Sequence, residues 1–394
     1  MKSWAVYRPL TLLVCCCLLL TGCWDRVEVN DLAIVSGMAI DLDKNQQITV
    51  SVQVLSPRSM GARGGSGGGS TKVAFVRSAK GITISDALSQ IQKKLSRQIF
   101  LGHCWVFIFG EKMAEAGITD MIDFFSRHPE TRNRAQLFVS KGEAFRLLQL
   151  VPPLERHAPD VLRDLAKQNV GPSVTLVDVT QMMRGEAKTV IMPMMAILPL
   201  QGDTKKNETV PYFVGSAIFD HGKMVGQLSS KITRGVMWLR NEISRSTVTV
   251  KVQGVKGYIS VAPIREKAEL EPRIENGKWT MKIKIEAVGN VLENGTNLDL
   301  SSRKWIAAVQ RAMREEVENR IKMSLEVLQK KMNVDVVGFA RRFNQKYPDE
   351  FAKVKDNWKE MFPEIELDLE VKSFIRRAGM TGEPSGLPET EVDE

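Results

Sequence analysis

The segment Ile274-Glu275-Asn276-Gly277-Lys278-Trp279-Thr280-Met281-Lys282-Ile283-Lys284-Ile285-Glu286 decides the fold class. Asn-Gly accepts positive φ at both central positions of a tight turn, so it closes a β-hairpin. In the arm that follows, Trp279, Met281, Ile283 and Ile285 share one face, and Thr280, Lys282, Lys284 and Glu286 share the other. One apolar and one charged face at period two make a half-buried strand. Further on the period changes. Trp305, Val309, Met313, Val317, Ile321, Leu325, Leu328 and Met332 recur every three or four residues, which predicts a long helix capped at Ser301 or Ser302. At ~1.5 Å per residue it is roughly 45 Å long. Such a stripe serves either as core packed on a sheet, the commoner use, or as a groove for a partner. Antiparallel strands followed by a helix that covers them define an α+β class.

Outward from this unit the same patterns repeat. Ile365, Leu367, Leu369 and Val371 alternate with acidic residues in a final strand. Val248, Val250 and Val252 alternate with Thr247, Thr249 and Lys251. Phe213 to Phe219 and Lys223 to Leu228 form a hairpin closed at Asp220-His221-Gly222. The polar, aperiodic run Gln201 to Asn207 reads as a domain boundary. In the first half, Ile48, Val50, Val52 and Val54 mark a half-buried strand. Residues 61–70 are a Gly/Ser run that buries no apolar surface and reads as a flexible loop. Ser85 is placed to cap a helix reaching about Arg97, and Cys104 to Phe109 is a buried strand. Met121 to Arg127 is helical, Leu137 to Ser140 extended, and Gly142 to Leu150 helical again. Gly379 to Glu394 combines Pro, Gly and acidic residues and is expected to be disordered.

The N-terminus carries a different signal. Lys2 and Arg8 precede an apolar run from Leu10 to Leu20, the length of a signal-peptide core and too short for a membrane span. Leu20-Thr21-Gly22-Cys23 resembles the bacterial lipobox, which implies a diacylglyceryl group on the Cys23 thiol and cleavage just before it. Residues 1–22 would then be a lipoprotein signal peptide, and the mature protein would lie outside the cytoplasmic membrane. Its removal takes Lys2 and Arg8 away and lowers the formal net charge from +9 to +7. An exported basic protein suits anionic head groups or wall polymer, and spread-out charge on an exported chain argues against nucleic acid. Only Cys23 and Cys104 remain after processing, so no disulfide is available once Cys23 is acylated.

No catalytic constellation is visible, and the expected function is non-enzymatic. His103, His128, His157 and His221 form no HExxH, no CxxC exists, and no cofactor or metal is expected. Gly64-Gly65-Ser66-Gly67-Gly68 matches the nucleophile-elbow pattern in form, but a low-complexity loop lacks the strained strand-to-helix turn that activates the serine. Gly69-Ser70-Thr71-Lys72 breaks the phosphate-loop order. Glu315, Glu316 and Glu318 beside Arg311, Arg314 and Arg320 read as an ion-paired, solvated helix face.

Several segments go further together. Leu20-Thr21-Gly22-Cys23-Trp24-Asp25, Leu32 to Asp41, Gly102-His103 with Gly110-Glu111, and Asp123-Phe124-Phe125-Ser126-Arg127 with Pro129-Glu130 resemble the C subunit of spore germinant receptors, the Ger(x)C lipoprotein family. Gly215 to Phe219, Lys223 to Gly226, Arg234 to Leu239, Phe343, Tyr347-Pro348, Trp358, Phe362-Pro363 and Phe374 to Arg377 continue the resemblance through the second half. The resemblance implies three α+β domains with largely antiparallel sheets. With the boundaries above, these are an N-terminal domain over 23–200, a middle domain over 201–262, a C-terminal domain over 263–378 and a tail over 379–394. It also implies A and B subunit partners in the spore inner membrane, with the chain lipid-anchored on the outer membrane face, and a role in nutrient-triggered germination. No ligand-binding residues carry over; His103 beside Gly102 is a tempting ligand residue, with a structural role at a strand entry as the alternative. A solute-binding lipoprotein of an importer is the competing function. Its usual repeated strand–helix lobes are at odds with the antiparallel second half.

Overall fold

The computed structural model describes residues 28–56, 73–200, 202, 207–243, 246–384 and 386–393. Cys23 with the expected signal peptide over 1–22, and residues 61–70, expected to be a flexible loop, lie outside the described residues. In chain order the elements are β1 (Leu32–Leu42), β2 (Ile48–Leu55), β3 (Ala74–Gly81), α1 (Ile84–Gln92), β4 (Gln98–Phe100), β5 (Val106–Gly110), α2 (Glu111–Ala116), α3 (Thr119–Arg127) and β6 (Gln136–Ser140). Then follow α4 (Ala144–Leu148), α5 (Ala158–Lys167), α6 (Leu176–Arg184), β7 (Thr189–Ile197), β8 (Pro211–Asp220), β9 (Lys223–Ser229), α7 (Ser230–Leu239) and β10 (Val248–Val250). The chain ends with β11 (Ile259–Glu275), β12 (Lys278–Asn294), α8 (Arg303–Glu326), α9 (Phe339–Lys346), α10 (Pro348–Val354), α11 (Trp358–Met361) and β13 (Glu366–Arg377).

Two sheets organise these elements. The large one runs β3-β2-β1-β5-β6-β7-β8-β9, with β4 beside the start of β1, and the small one runs β10-β11-β12-β13. Six strand pairs are antiparallel and five parallel, so the sheets are mixed and mostly antiparallel. The parallel pairs β1-β5-β6-β7 form the centre of the large sheet, where helices return the chain between strands. That centre is covered on both faces, which is why 106–109 reads as an unbroken apolar run. Phe107 and Phe109 pack with α1, α3 and α6 on one side. Val106 and Ile108 pack with α4 and α5 on the other.

The small sheet follows the sequence closely. Asn276 and Gly277 have φ of 52° and 78° at the β11–β12 turn. Trp279, Met281, Ile283 and Ile285 are buried against Val309, Met313, Val317, Ile321 and Leu325 of α8. The stripe is therefore core, and it continues into a π-helical turn over Val327–Met332. On the other face Lys282 lies opposite Asp368, and Lys284 opposite Glu370, in the β12–β13 register.

The helix caps depart from the sequence expectations. Thr83, not Ser85, caps the first helix by accepting from the Asp86 amide, and the helix stops at Gln92. Ser302 occupies the N-cap of α8 without a side-chain bond, while Ser301 turns to Asp299. The division expected at 201 falls between β7 and β8, which pair from Thr189↔Asp220 to Ile197↔Pro211. Segment 201–262 thus gives β8 and β9 to the large sheet and β10 to the small one. The division at 263 falls inside β11. Of the 379–394 tail, expected to be disordered, the described residues return to the turn before α8. The Leu300 amide donates to the Gly382 carbonyl, the Asp299 amide to the Asp393 carbonyl, and the Asp393 amide to the Asn297 carbonyl. Composition hid this because the tail is held by backbone groups and not by apolar side chains.

Helix α7 joins the two sheets. Val236, Met237 and Trp238 are buried among Ile191, Ile218 and Leu228 of the large sheet and residues of the small one. A Cβ at Gly235 would overlap the Ser324 hydroxyl and the Arg320 carbonyl of α8. The Ser324 hydroxyl itself donates to the Ile232 and Arg320 carbonyls. Alanine normally stabilises a helix over glycine by ~1 kcal/mol. At this crossing Gly235→Ala should instead destabilise by about 1–3 kcal/mol through overpacking, measured by thermal denaturation. A variant at least as stable as the parent would disprove the close crossing.

Candidate functional site

His103 and Cys104, adjacent in sequence, have different fates. Cys104 is fully buried, its thiol 3.5 Å from the Val106 carbonyl, and burial pushes it up to about 12. It precedes β5 as a small apolar filler. His103 is exposed, its ring edge-on to Trp105 at 5.9 Å between centroids. The Arg132 guanidinium lies 4.2 Å from the Trp105 ring centre and donates to the Gly102 carbonyl. Partial burial, then the charges of Arg132 and Arg163, hold the His103 imidazole below its usual range.

These side chains border a cavity of about 300 Å³ whose other wall is the start of α5: Arg156, His157, Asp160 and Arg163. The approach of α5 to β1 depends on Gly37, where a Cβ would sit 2.6 Å from Pro159 Cγ. Asp160 lies 3.2 Å from Arg163 Nη2 and 3.4 Å from His157 Nε2. Burial, before all other influences, lowers His157 as well. The sequence points to His103 but not to this wall, because 151–192 shows no sustained apolar period. Signals were present: Pro159 suits a first helical turn, and Thr175 and Asp178 form a capping box at α6.

A second cavity, about 330 Å³, opens where the two sheets meet, lined among others by Asp178, Glu186, Arg240, Glu242 and Arg341. Its floor is a set of cross-links between the halves. Thr189 Oγ1 donates to the Asp335 carbonyl at 2.5 Å, Arg240 to the Val336 carbonyl at 2.8 Å, and Asn344 to Glu186 at 3.0 Å. Lys359 pairs with Asp220 at 2.7 Å. Burial raises Asp220, but Lys359 and His221 outweigh it and hold the carboxyl below its usual range.

The other sequence-level candidates do not converge. His221 sits in the β8–β9 turn at φ 50° against Asp220, and His128 ends α3 beside Phe124. Arg320 pairs with Glu316 and Lys322 with Glu318 along α8, as a solvated ion-paired face requires. Ser66 lies outside the described residues. Among the described residues no group of three or more His, Cys, Asp or Glu side chains is placed to hold a metal, and no helix is long and apolar enough to cross a membrane.

The site geometry is thus a two-sheet α+β body with two polar cavities. Its relatives narrow the class. Residues 25–197 match the family described as "Spore germination protein N-terminal domain", and residues 214–379 match "Spore germination B3/ GerAC like, C-terminal". Spore germination protein KC of Bacillus subtilis (strain 168) is 27% identical over 386 residues, covering 93% of this chain and 94% of that one. Spore germination protein B3 of the same organism is 24% identical, covering 93% and 96%. The crystal structure of the GerBC protein aligns with a TM-score of 0.57 at 19% identity, covering 86% of this chain and 97% of that one, and shares the fold. The chain belongs to the Ger(x)C family of spore germination proteins.

The burial of Cys104 yields a direct expectation. With the thiol at about 12, on the order of one molecule in ten thousand carries thiolate at pH 8. Alkylation at Cys104 by iodoacetamide, followed by mass spectrometry, should be negligible in the native protein and complete in guanidinium chloride. Rapid native labelling would contradict a purely structural cysteine.

Proposed function

We propose that this chain is the lipid-anchored, non-enzymatic C subunit of a nutrient germinant receptor. The observation that carries the reading is the match of both halves, in order, to spore germination proteins, beginning at residue 25, two residues after the Cys of Leu20-Thr21-Gly22-Cys23. In this reading Cys23 carries the acyl anchor at the outer face of the spore inner membrane. One buried acyl chain binds a membrane only marginally, whereas two or more hold firmly. The anchor keeps the folded body beside membrane-borne A and B subunits, and confinement to one membrane raises effective concentration without any new contact. Function then comes from binding surfaces and not from chemistry. The importer alternative draws no support from strand pairing: β7 and β8 pair across the midpoint of the chain, where a two-lobed binding protein needs a hinge.

Two experiments test this. Deleting the gene should abolish or weaken germination in response to one group of nutrients while leaving germination by receptor-independent routes intact. Complementation in a strain lacking every paralogous C subunit, with the matching A and B subunits supplied, must restore a nutrient response; failure there refutes the receptor role. Separately, Cys23→Ala should release the protein from membranes or block its maturation, with the circular dichroism of the body unchanged. Full membrane retention of exported Cys23→Ala protein would refute the anchor.

A further inference from the structure

The cavity at the start of α5 has features that packing does not explain. Two of its lining residues carry buried polar atoms without a hydrogen-bond partner, Trp105 Nε1 and His157 Nδ1, while Arg163 Nε has only a long contact of 3.6 Å to Asp164 Oδ1. His157 is only 7% exposed. An unsatisfied buried donor or acceptor costs ~1–3 kcal/mol, so two around one cavity call for an explanation. The charge is also one-sided. Arg156 and Arg163 line the cavity and Arg132 stacks on its Trp105 wall, against Asp160 as the lining carboxylate. Asp160 is already shared between Arg163 and His157, Asp164 is shared between Arg163 and Lys167, and Arg156 pairs with no carboxylate among the described residues. Helix α5, ten residues long, begins here with no side-chain cap, so the positive end of its dipole adds to the arginines.

We infer that this cavity binds a small ligand bearing an oxyanion, a carboxylate or a phosphate, held by Arg156 and Arg163 at the N-terminus of α5 beside Trp105. Guanidinium groups present forked donors that match both oxyanions. At about 300 Å³ the space is at the small end of ligand pockets, which favours a compact molecule over a nucleotide or polymer. A divalent metal is disfavoured because Asp160 faces arginines. Burial keeps both imidazoles below their usual range, so they serve as neutral hydrogen-bonding groups and the positive charge comes from arginine. The close seat of Pro159 on Gly37 holds the start of α5 in place before a ligand arrives. The site assignment does not depend on the receptor reading.

Isothermal titration calorimetry on the full-length protein in detergent, at low ionic strength, tests the assignment with sodium phosphate and sodium succinate as separate probes and glycerol as a neutral control. Saturable one-site binding of phosphate alone assigns a phosphate ligand, of succinate alone a carboxylate, and of both a general oxyanion site. Arg156→Ala should weaken binding about tenfold or more, the effect of losing one charge-assisted contact. Because Arg156 is exposed, its removal leaves the thermal melt unchanged. Arg311→Ala, on the exposed side of α8, removes the same net charge and should leave binding unaltered. No saturable heat with either anion up to about 10 mM, a range weaker than millimolar affinity, overturns the inference. Equal affinity in the Arg156→Ala protein, or equal loss in Arg311→Ala, overturns it as well.

Discussion

One buried carboxylate holds the joint between the two sheets. Asp335 accepts from the amides of Gly338, Phe339 and Ala340 at 2.8, 3.0 and 2.7 Å, and from Trp358 Nε1 at 3.2 Å. Burial pushes its carboxyl up, and the four donors pull against that. A carboxylate so deep is tolerated only when its lone pairs are filled, so the chain before α9 must present three amides at once. Positive φ at Asn333 and Gly338 makes that turn possible. The carbonyl of Asp335 then takes the Thr189 hydroxyl, and that of Val336 takes Arg240. The N-terminus of α9, the first residue of β7 and the end of α7 thus meet at one place, and the positions of the two sheets follow from it.

What could be read beforehand, and what could not, divides along physical lines. The β11–β12 hairpin and α8 were legible because each pairs a periodic apolar face with an unambiguous boundary signal. The membership of β8 and β9 in the large sheet was not. A polar connection at 201–207 looks the same whether the flanking strands pair or part, since pairing uses backbone groups common to all residues. Helices α5 and α6 were missed for another reason. Each is short, with Ala158, Pro159, Val161, Leu162 and Ala166, or Leu176 and Val179, as its buried residues, and the pattern is too brief to outweigh the prolines around it.

The candidate site shows the same division. His103 could be noticed because histidine is rare in the chain, but a residue becomes part of a site only through its neighbours. Here those neighbours come from β1, the end of β2 and α5, distant in sequence and brought together by the parallel β1–β5 pairing and by the missing side chain of Gly37. Arginine at 156 and 163 carries no signal by itself, since most arginines are solvated. It acquires meaning from the unpartnered atoms of Trp105 and His157 beside it.

Geometry also limits where partners can meet this body. The centre of the large sheet is buried on both faces, so contact surfaces must lie on helix exteriors, loops and strand edges. The proposed anchor narrows the choice. From Cys23 to Leu32, where β1 begins, the chain can span at most about 30 Å even when fully extended, and Ser36 on the wall of the α5 cavity lies only a few residues further along β1. A tether that short keeps the start of β1 near the bilayer whatever the orientation of the rest. β4 pairs with this start through Leu32↔Gln98 to Ile34↔Phe100, and the Gly102-His103 turn follows directly. The cavity therefore lies at the end of the large sheet where β1 begins. A ligand at the already fixed start of α5 would, if Cys23 carries the proposed anchor, sit on the part of the body nearest the lipid.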